Sequence, residues 1–396
     1  LLKKGNHRFA VDLANYFGGG EELSEHMFIT GMKDSSGKTT TAMAGTDFVG
    51  DDLAQMWVAD DGTMRAINPE NGIFGIVADV NREGDPYLMK CLREPGTEVI
   101  WSNVLIDDKK VPHWTGNGEE HADKGVNFQG EWTKGKKNAD GKEIPISHPN
   151  ARCTLRCRDI GNYSNVTGED PAGAPVKVVT YSGRDADTMP PVWAGKNSDH
   201  GVVIGGSIVS AATATEVGAS GVKRQPWANA PFIPGALADY LRVQFQFFGS
   251  DKFTKEGQPI LAGLNYFLTD QARGGDSPKL LGEKKDVKAW LTWLARFAHG
   301  DYEGIETPIG FIPKYEDLKK LFAEIIDKQY DKDLYTKQFS LYVENIVARI
   351  DLQHEAYGKE QPAMPAKLFE ILKKQKDELL ALKSKFGAVV TPDQLA

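Results

Sequence analysis

Met27-Phe28-Ile29-Thr30-Gly31-Met32-Lys33-Asp34-Ser35-Ser36-Gly37-Lys38-Thr39-Thr40 carries the first decision about this chain. The apolar start reads as a strand, and Gly37-Lys38-Thr39-Thr40 then runs into the helix-compatible Thr41-Ala42-Met43-Ala44. Strand, glycine turn and helix start together form a phosphate cradle, because backbone N–H groups at a helix N-terminus face an anion. In such a loop Ser35, Ser36, Gly37 and Thr40 line the phosphates. Lys38 reaches the distal phosphates and the Thr39 hydroxyl binds the metal. The spacing is unusual, since Gly31 and Gly37 enclose five residues where the common motif has four. A chance Gly-Lys-Thr turn is the competing reading.

Phe48-Val49-Gly50-Asp51-Asp52 follows closely, a short apolar run ending in paired carboxylates. Two adjacent acids at a strand end cannot both be buried as ions without a cation or hydrogen bonds. A divalent metal bridging to phosphate oxygens meets that need. The alternative is an Asp-Asp cap on a helix starting at Leu53-Ala54-Gln55-Met56-Trp57.

Around this centre the composition is that of a globular protein, 40% hydrophobic and 26% charged over 396 residues. No run approaches the roughly 18–20 apolar residues of a membrane span. The net charge of −8 argues against a nucleic-acid surface. Cys91, Cys153 and Cys157 read as reduced thiols of a cytoplasmic protein. Cys153 and Cys157 have the spacing of half a zinc site, with no second pair placed to complete it. Because the chain opens on Leu-Leu-Lys-Lys, an N-terminal part carrying half the active site is expected to precede it.

Residues 1–105 alternate short helices and β-rich runs. Residues 107–150, rich in Gly, Lys, Asn and Asp, predict a long surface excursion of loops and hairpins. Val176–Tyr181 and Val202–Ile208 predict strands. After Pro234 helices are expected, among them Asp286–Phe297, with Val287, Trp290, Leu291 and Leu294 on one face. A second is Lys367–Phe386, stopped by Gly387, with its lysines on a solvated face. The order suggests a mixed α/β core over 1–235 and a mainly helical cover over 236–396.

Arg65-Ala66-Ile67-Asn68-Pro69-Glu70-Asn71-Gly72-Ile73-Phe74-Gly75 resembles the GTP-dependent phosphoenolpyruvate carboxykinases almost residue for residue. Further islands follow in that family's order. They are Val49–Asp52, Ile100-Trp101-Ser102-Asn103-Val104, His148-Pro149-Asn150-Ala151-Arg152, Gly183-Arg184 and Thr307–Lys314, with a looser match at Pro226–Phe232. The resemblance implies the C-terminal part of such an enzyme: an α/β, mixed-sheet nucleotide-binding domain with a P-loop and a helical C-terminal cover. It implies Mn²⁺ held by Lys4 or Lys3, His26 and Asp52, with Asp51 beside them, and Mg²⁺ at Thr39. It makes Lys38, Asp52, Ser36 and Arg152 catalytic, with Arg152 bridging the transferred phosphoryl and Asn150 positioning it. Phe74 lies beside substrate.

Departures gather near the phosphoryl donor. Ser36 stands where the family carries a reactive cysteine, and Asp34 where a serine binds phosphoenolpyruvate. Arg184-Asp185 replaces paired arginines, which sets a negative charge where phosphate is expected. Ser210–Lys223 would be a mobile lid, with Val209 and Ala211 in place of an Arg and a Glu. Tyr266 and Phe267 begin the aromatic clamp for the guanine, but later phenylalanines are missing and Lys284 replaces the base-reading Asn. The interval from Thr39 to Asp51 is shorter than in the family. The donor is therefore GTP (released as GDP), or pyrophosphate drawn by Lys284 and Lys285.

The implied reaction interconverts oxaloacetate with phosphoenolpyruvate and CO₂, small-molecule partners only, with oligomeric state open. A carboxykinase-like kinase for another small molecule, or a non-catalytic nucleotide-binding relative, are the alternatives.

Overall fold

The computed structural model describes residues 8–12, 27–32, 47–51, 54–165, 172–209, 236–360 and 362–396. Strands β1 (Arg8–Asp12), β2 (Met27–Met32), β3 (Asp47–Gly50), β4 (Gln55–Val58), β5 (Met64–Ile67) and β6 (Gly72–Ile76) come first. Helix α1 (Pro86–Arg93) separates them from β7 (Ile100–Ser102), β8 (Leu105–Ile106), β9 (Pro112–His113), β10 (Lys124–Asn127), β11 (Gly130–Thr133) and β12 (Arg152–Arg156). Next come β13 (Ala174–Ser182), β14 (Val192–Ala194), α2 (Ser198–Gly206), α3 (Leu237–Phe248) and β15 (Ile260–Leu264). The chain closes with α4 (Val287–Ala298), β16 (Gly304–Thr307), β17 (Gly310–Pro313), α5 (Tyr315–Ile326), α6 (Lys332–Phe339), α7 (Val343–Gly358) and α8 (Ala366–Phe386).

The main sheet runs β16-β17-β14-β15-β13-β2-β1-β3, with β5 and β4 attached to the start of β13. It is mixed: β2, β13 and β15 are parallel neighbours, whereas β1 is antiparallel to both β2 and β3. β13 reads as a buried apolar run (Val176, Val178, Val179, Tyr181) because neighbours cover it on both sides. The helix-rich part after residue 236 contributes β15, β16 and β17 to this same sheet. The expected helices are present as α4 and α8; Leu368, Leu372 and Leu379 of α8 are buried, and Gly387 ends it at φ +97°. Among the described residues no helix is long and apolar enough to cross a membrane.

Two expectations are corrected. Val202–Ile208 is not a strand: most of it belongs to α2. Asn197 caps that helix, its side-chain oxygen accepting the His200 N–H at 2.9 Å. Gly201 and Gly205, four residues apart, then face the sheet. A Cβ there would stand 2.3 Å from Leu261 and 2.6 Å from Tyr181, so only glycines let the helix lie this close. A short apolar run between glycines does not by itself distinguish these outcomes. The helix-cap reading of Asp51-Asp52 also fails, because the chain from Gln55 is strand β4.

The 107–150 excursion is ordered. β11-β10-β8-β9 form a four-stranded sheet over a small core of Leu105, Trp132 and Ile144. Beside it β6-β12-β7 form a three-stranded sheet, with Phe74, Thr154 and Ile100 in lateral register.

Candidate active site

The parallel strands set the first half of the site. Ser182 of β13 lies beside Met32 of β2 on one side and Leu264 of β15 on the other. The described strand ends Met32, Ser182 and Leu264 therefore lie at one edge of the sheet, and Gly183-Arg184 and Asn265-Tyr266-Phe267 leave from it. β3 runs in the same sense as β2, since β1 is antiparallel to both, so Asp51 leaves from that end of its strand. Open α/β sheets gather ligands outside the carboxyl ends of their parallel strands, where no side chain of the sheet fills the space.

The second half lies on the three-stranded sheet. Arg152 opens β12 and pairs with Ile76 of β6, which brings it beside Phe74 from 78 residues earlier. Its Nε donates to Asn150 Oδ1 at 2.7 Å and its Nη1 to the Phe74 carbonyl at 2.9 Å. The guanidinium carbon sits 4.9 Å from the Phe74 ring centroid, a cation–π distance. Phe74 is 56% exposed, so the pair faces solvent. Both anchors are neutral, and among the described residues no carboxylate pairs with Arg152. The fold thus assembles Phe74, Asn150 and Arg152, and among the described residues the cation meets no carboxylate. A guanidinium in this state is equipped for a tetrahedral anion.

Asp51 is 2% exposed at the end of β3. Asn68, which the sequence reading passed over, ties this strand end to the 68–72 turn: its amide donates to the Val49 and Glu70 carbonyls, both at 2.8 Å. Beneath Arg152, Cys153 and Cys157 are buried, and their thiols are pushed up to about 12, first by burial and next by the Asp51 charge. They are neutral thiols, and among the described residues no group of three or more His, Cys, Asp or Glu is arranged to hold a metal. Lys3, Lys4, His26, Asp34, Ser35, Ser36, Gly37, Lys38, Thr39, Thr40 and Asp52 lie outside the described residues, as do Ser210–Lys223 and Pro226–Phe232.

At the carboxyl edge two charged side chains have partners within the protein. Asp185, beside Arg184, is one of them. It is 6% exposed and turned back into its own loop, accepting from the N–H groups of Asp187 (3.2 Å), Thr188 (2.9 Å) and Met189 (3.3 Å) and from the Thr188 hydroxyl. Buried Arg273 underlies the same loop, donating to the Thr188 carbonyl at 3.0 Å. Lys284 is engaged as well: its Nζ is 2.5 Å from the carboxylate of Asp85, whose side chain is 2% exposed. Asp85 precedes α1, nearly 200 residues away in sequence, and no local pattern could have paired it with Lys284.

Arg184 stands over Phe267, 5.4 Å from the ring centroid. Tyr266 meets Trp290 edge-on at 6.0 Å, and burial pushes its hydroxyl well above the ordinary range. Asn265 orients this pair by donating to the Met189 carbonyl (2.8 Å) and accepting the Phe267 N–H (3.1 Å).

The molecule is thus an α/β domain that gathers polar and aromatic side chains at the carboxyl edge of adjacent parallel strands, with an arginine on a neighbouring sheet that meets no carboxylate among the described residues. It belongs to the phosphoenolpyruvate carboxykinase C-terminal P-loop domain family, whose family model matches residues 20–378. The chain is 40% identical over 392 residues to the phosphoenolpyruvate carboxykinase of Pyrococcus abyssi, covering 94% of this chain and 61% of that protein. The enzyme of Thermococcus kodakarensis is 40% identical over 387 residues (93% and 60%), and that of Saccharolobus solfataricus 34% over 389 (94% and 61%). All three are named with GTP as their nucleotide. The chain spans about three-fifths of the length of these relatives.

Proposed function

We propose that this chain is the donor- and phosphoryl-binding part of a divalent-metal-dependent phosphoenolpyruvate carboxykinase, interconverting oxaloacetate plus a phosphoryl donor with phosphoenolpyruvate plus CO₂. The observation that carries this reading is Arg152, a guanidinium fixed by Asn150 and the Phe74 carbonyl and left without a carboxylate among the described residues. Among the described residues no acid takes up its N–H groups. Arg152 instead keeps donors for the oxygens of the group in flight, Asn150 holds its plane, and Phe74 walls the substrate side.

In this reading Ser35–Thr40 cradles the donor, with Lys38 on its distal phosphates, Arg184 at the neighbouring strand end, and Tyr266 and Phe267 beneath the base. Phosphoryl transfer asks little covalent chemistry of a protein, so positioning and charge neutralisation supply most of the rate. Lys4, His26 and Asp52, with Asp51, would hold Mn²⁺, and Thr39 the Mg²⁺ of the nucleotide. Asp51 fits this role as a hard oxygen donor buried at a strand end. A divalent cation there supplies positive charge to developing oxyanions. GTP is favoured over pyrophosphate on two counts: the relatives are named for GTP, and Lys284, the charge that would draw a small polyanion, is neutralised by Asp85.

The test offers the full-length protein Mn²⁺, Mg²⁺ and oxaloacetate with GTP, ATP or pyrophosphate singly. Phosphoenolpyruvate formed with GTP is the expected result. Product with pyrophosphate alone overturns the donor assignment, and no product with any donor overturns the reaction.

A further inference from the structure

The small β8–β11 sheet has no role in phosphoryl binding itself, yet one chain of its ties leads toward Arg152. Its β10–β11 hairpin turns at Asn127-Phe128-Gln129-Gly130. Asn127 accepts the Gln129 N–H at 2.9 Å, and Gly130 takes φ +96°. The same Asn127 side chain donates outward to the Pro145 carbonyl at 3.1 Å. Trp132 in the hairpin donates its indole N–H to the Ile144 carbonyl at 2.8 Å, and Ser147 Oγ accepts the Thr115 N–H at 3.0 Å. The segment 144–147 is thereby fixed residue by residue before the chain reaches His148.

His148 is then held on two sides. Its backbone N–H donates to the carbonyl of Asn103 at 3.0 Å, and its ring meets Phe128 at the hairpin tip edge-on, 5.1 Å between centroids. Its Nδ1 accepts the backbone N–H of Asn150 at 3.0 Å. A ring nitrogen can accept only if it carries no proton, so the neutral ring bears its proton on Nε2. The His148 carbonyl also accepts the Ala151 N–H at 2.9 Å, and Ala151 in turn accepts from Val77 at 2.9 Å. Two residues on, the Asn150 side chain grips Arg152 Nε.

We propose that His148 is a positioning residue for Arg152, and that the β8–β11 sheet buttresses it through Phe128. The imidazole substitutes for an Asx-type acceptor, taking the N–H two residues ahead and so fixing the turn from which Asn150 aims at the guanidinium. This inference rests on the assignment of Arg152 to phosphoryl binding, and the experiment separates the two.

Phosphoenolpyruvate is titrated into the full-length protein carrying His148→Leu, His148→Asn, Phe128→Ala or Arg152→Met, with melting temperature recorded for each. Asn has a side-chain oxygen able to accept the same N–H, whereas Leu has no acceptor. The expected result is binding weakened fivefold or more in His148→Leu, restored to within twofold in His148→Asn, and weakened most in Arg152→Met. Long-range ¹⁵N spectra should show His148 Nδ1 unprotonated in the wild type. If Arg152→Met abolishes binding while His148→Leu binds as wild type, the positioning role is wrong and the Arg152 reading stands. Equal weakening in His148→Leu and His148→Asn also overturns it, since the acceptor would then be irrelevant. If Arg152→Met binds normally, the underlying assignment fails. Should His148→Leu not fold, Phe128→Ala decides: twofold or greater weakening without a matching loss of stability supports the buttress, and unchanged binding overturns it.

Discussion

Arg152 and Lys284 are both cations that the sequence offers to a phosphate, and the fold treats them in opposite ways. Arg152 is anchored by two neutral oxygens and meets no carboxylate among the described residues; Lys284 pairs with the buried carboxylate of Asp85. Asp51 and Asp185 are both buried acids near strand ends, and they differ in where the chain puts them. Asp51 ends a strand among aligned strand ends, whereas Asp185 folds back onto three N–H groups and a hydroxyl of its own loop. Formal charge read along a sequence is therefore a poor guide to field at a site. What counts is whether the fold supplies a partner of opposite sign.

The contrast is sharpened first at Lys284. Removing it strands Asp85, a carboxylate with almost no access to water, and breaking a buried pair from one side costs on the order of 3 kcal/mol. Lys284 is itself one-third exposed, which lowers the expectation to about 2 kcal/mol for Lys284→Met. The double variant Asp85→Asn/Lys284→Met should recover most of that loss in a denaturant titration. The KM for the phosphoryl donor should stay within twofold of wild type in both variants. A donor KM raised tenfold in Lys284→Met would return Lys284 to the binding site and dissolve the contrast.

A smaller effect concerns the floor beneath Arg152. Cys153 and Cys157 ordinarily titrate near 9, and in the folded chain they are held up to about 12 by burial and by Asp51. The folded state keeps their protons longer than the unfolded state does. Their contribution is complete below pH 9 and lost as pH rises toward 12, at roughly 1 kcal/mol per pH unit for each thiol. Stability curves at pH 8 and 10 should differ less in Cys153→Ala/Cys157→Ala than in wild type. Identical pH slopes would show that the thiols ionise in place.

Much of this architecture was legible in the sequence. Val176–Tyr181 is a strand because its β-branched residues, interrupted only by Lys177, suit the covered centre of a sheet. The helices at 287–298 and 366–386 announce themselves by a long 3.6-residue period. The islands around Phe74 and at 148–152 carried the family, and the fold seats them on adjacent antiparallel strands. Val202–Ile208 was misread because seven residues are too few for periodicity to decide, and because close packing through Gly201 and Gly205 is a tertiary property. The engagement of Lys284 and Asp185 was equally hidden: one partner is distant in sequence, and the other is a backbone turn without a side-chain signature. The contact from Phe128 to His148 lies in a stretch whose composition suggested loops and hairpins but not which of them would pack together.

The most direct test of the account is the product partition of the Arg152→Met protein supplied with oxaloacetate, Mn²⁺ and GTP. If Arg152 acts on the phosphoryl group, phosphoenolpyruvate formation should fall by about a hundredfold or more, the loss of one charged contact to a transition state. Donor-independent decarboxylation to pyruvate should persist near the wild-type rate. Phosphoenolpyruvate and pyruvate falling together, or neither falling, would contradict it.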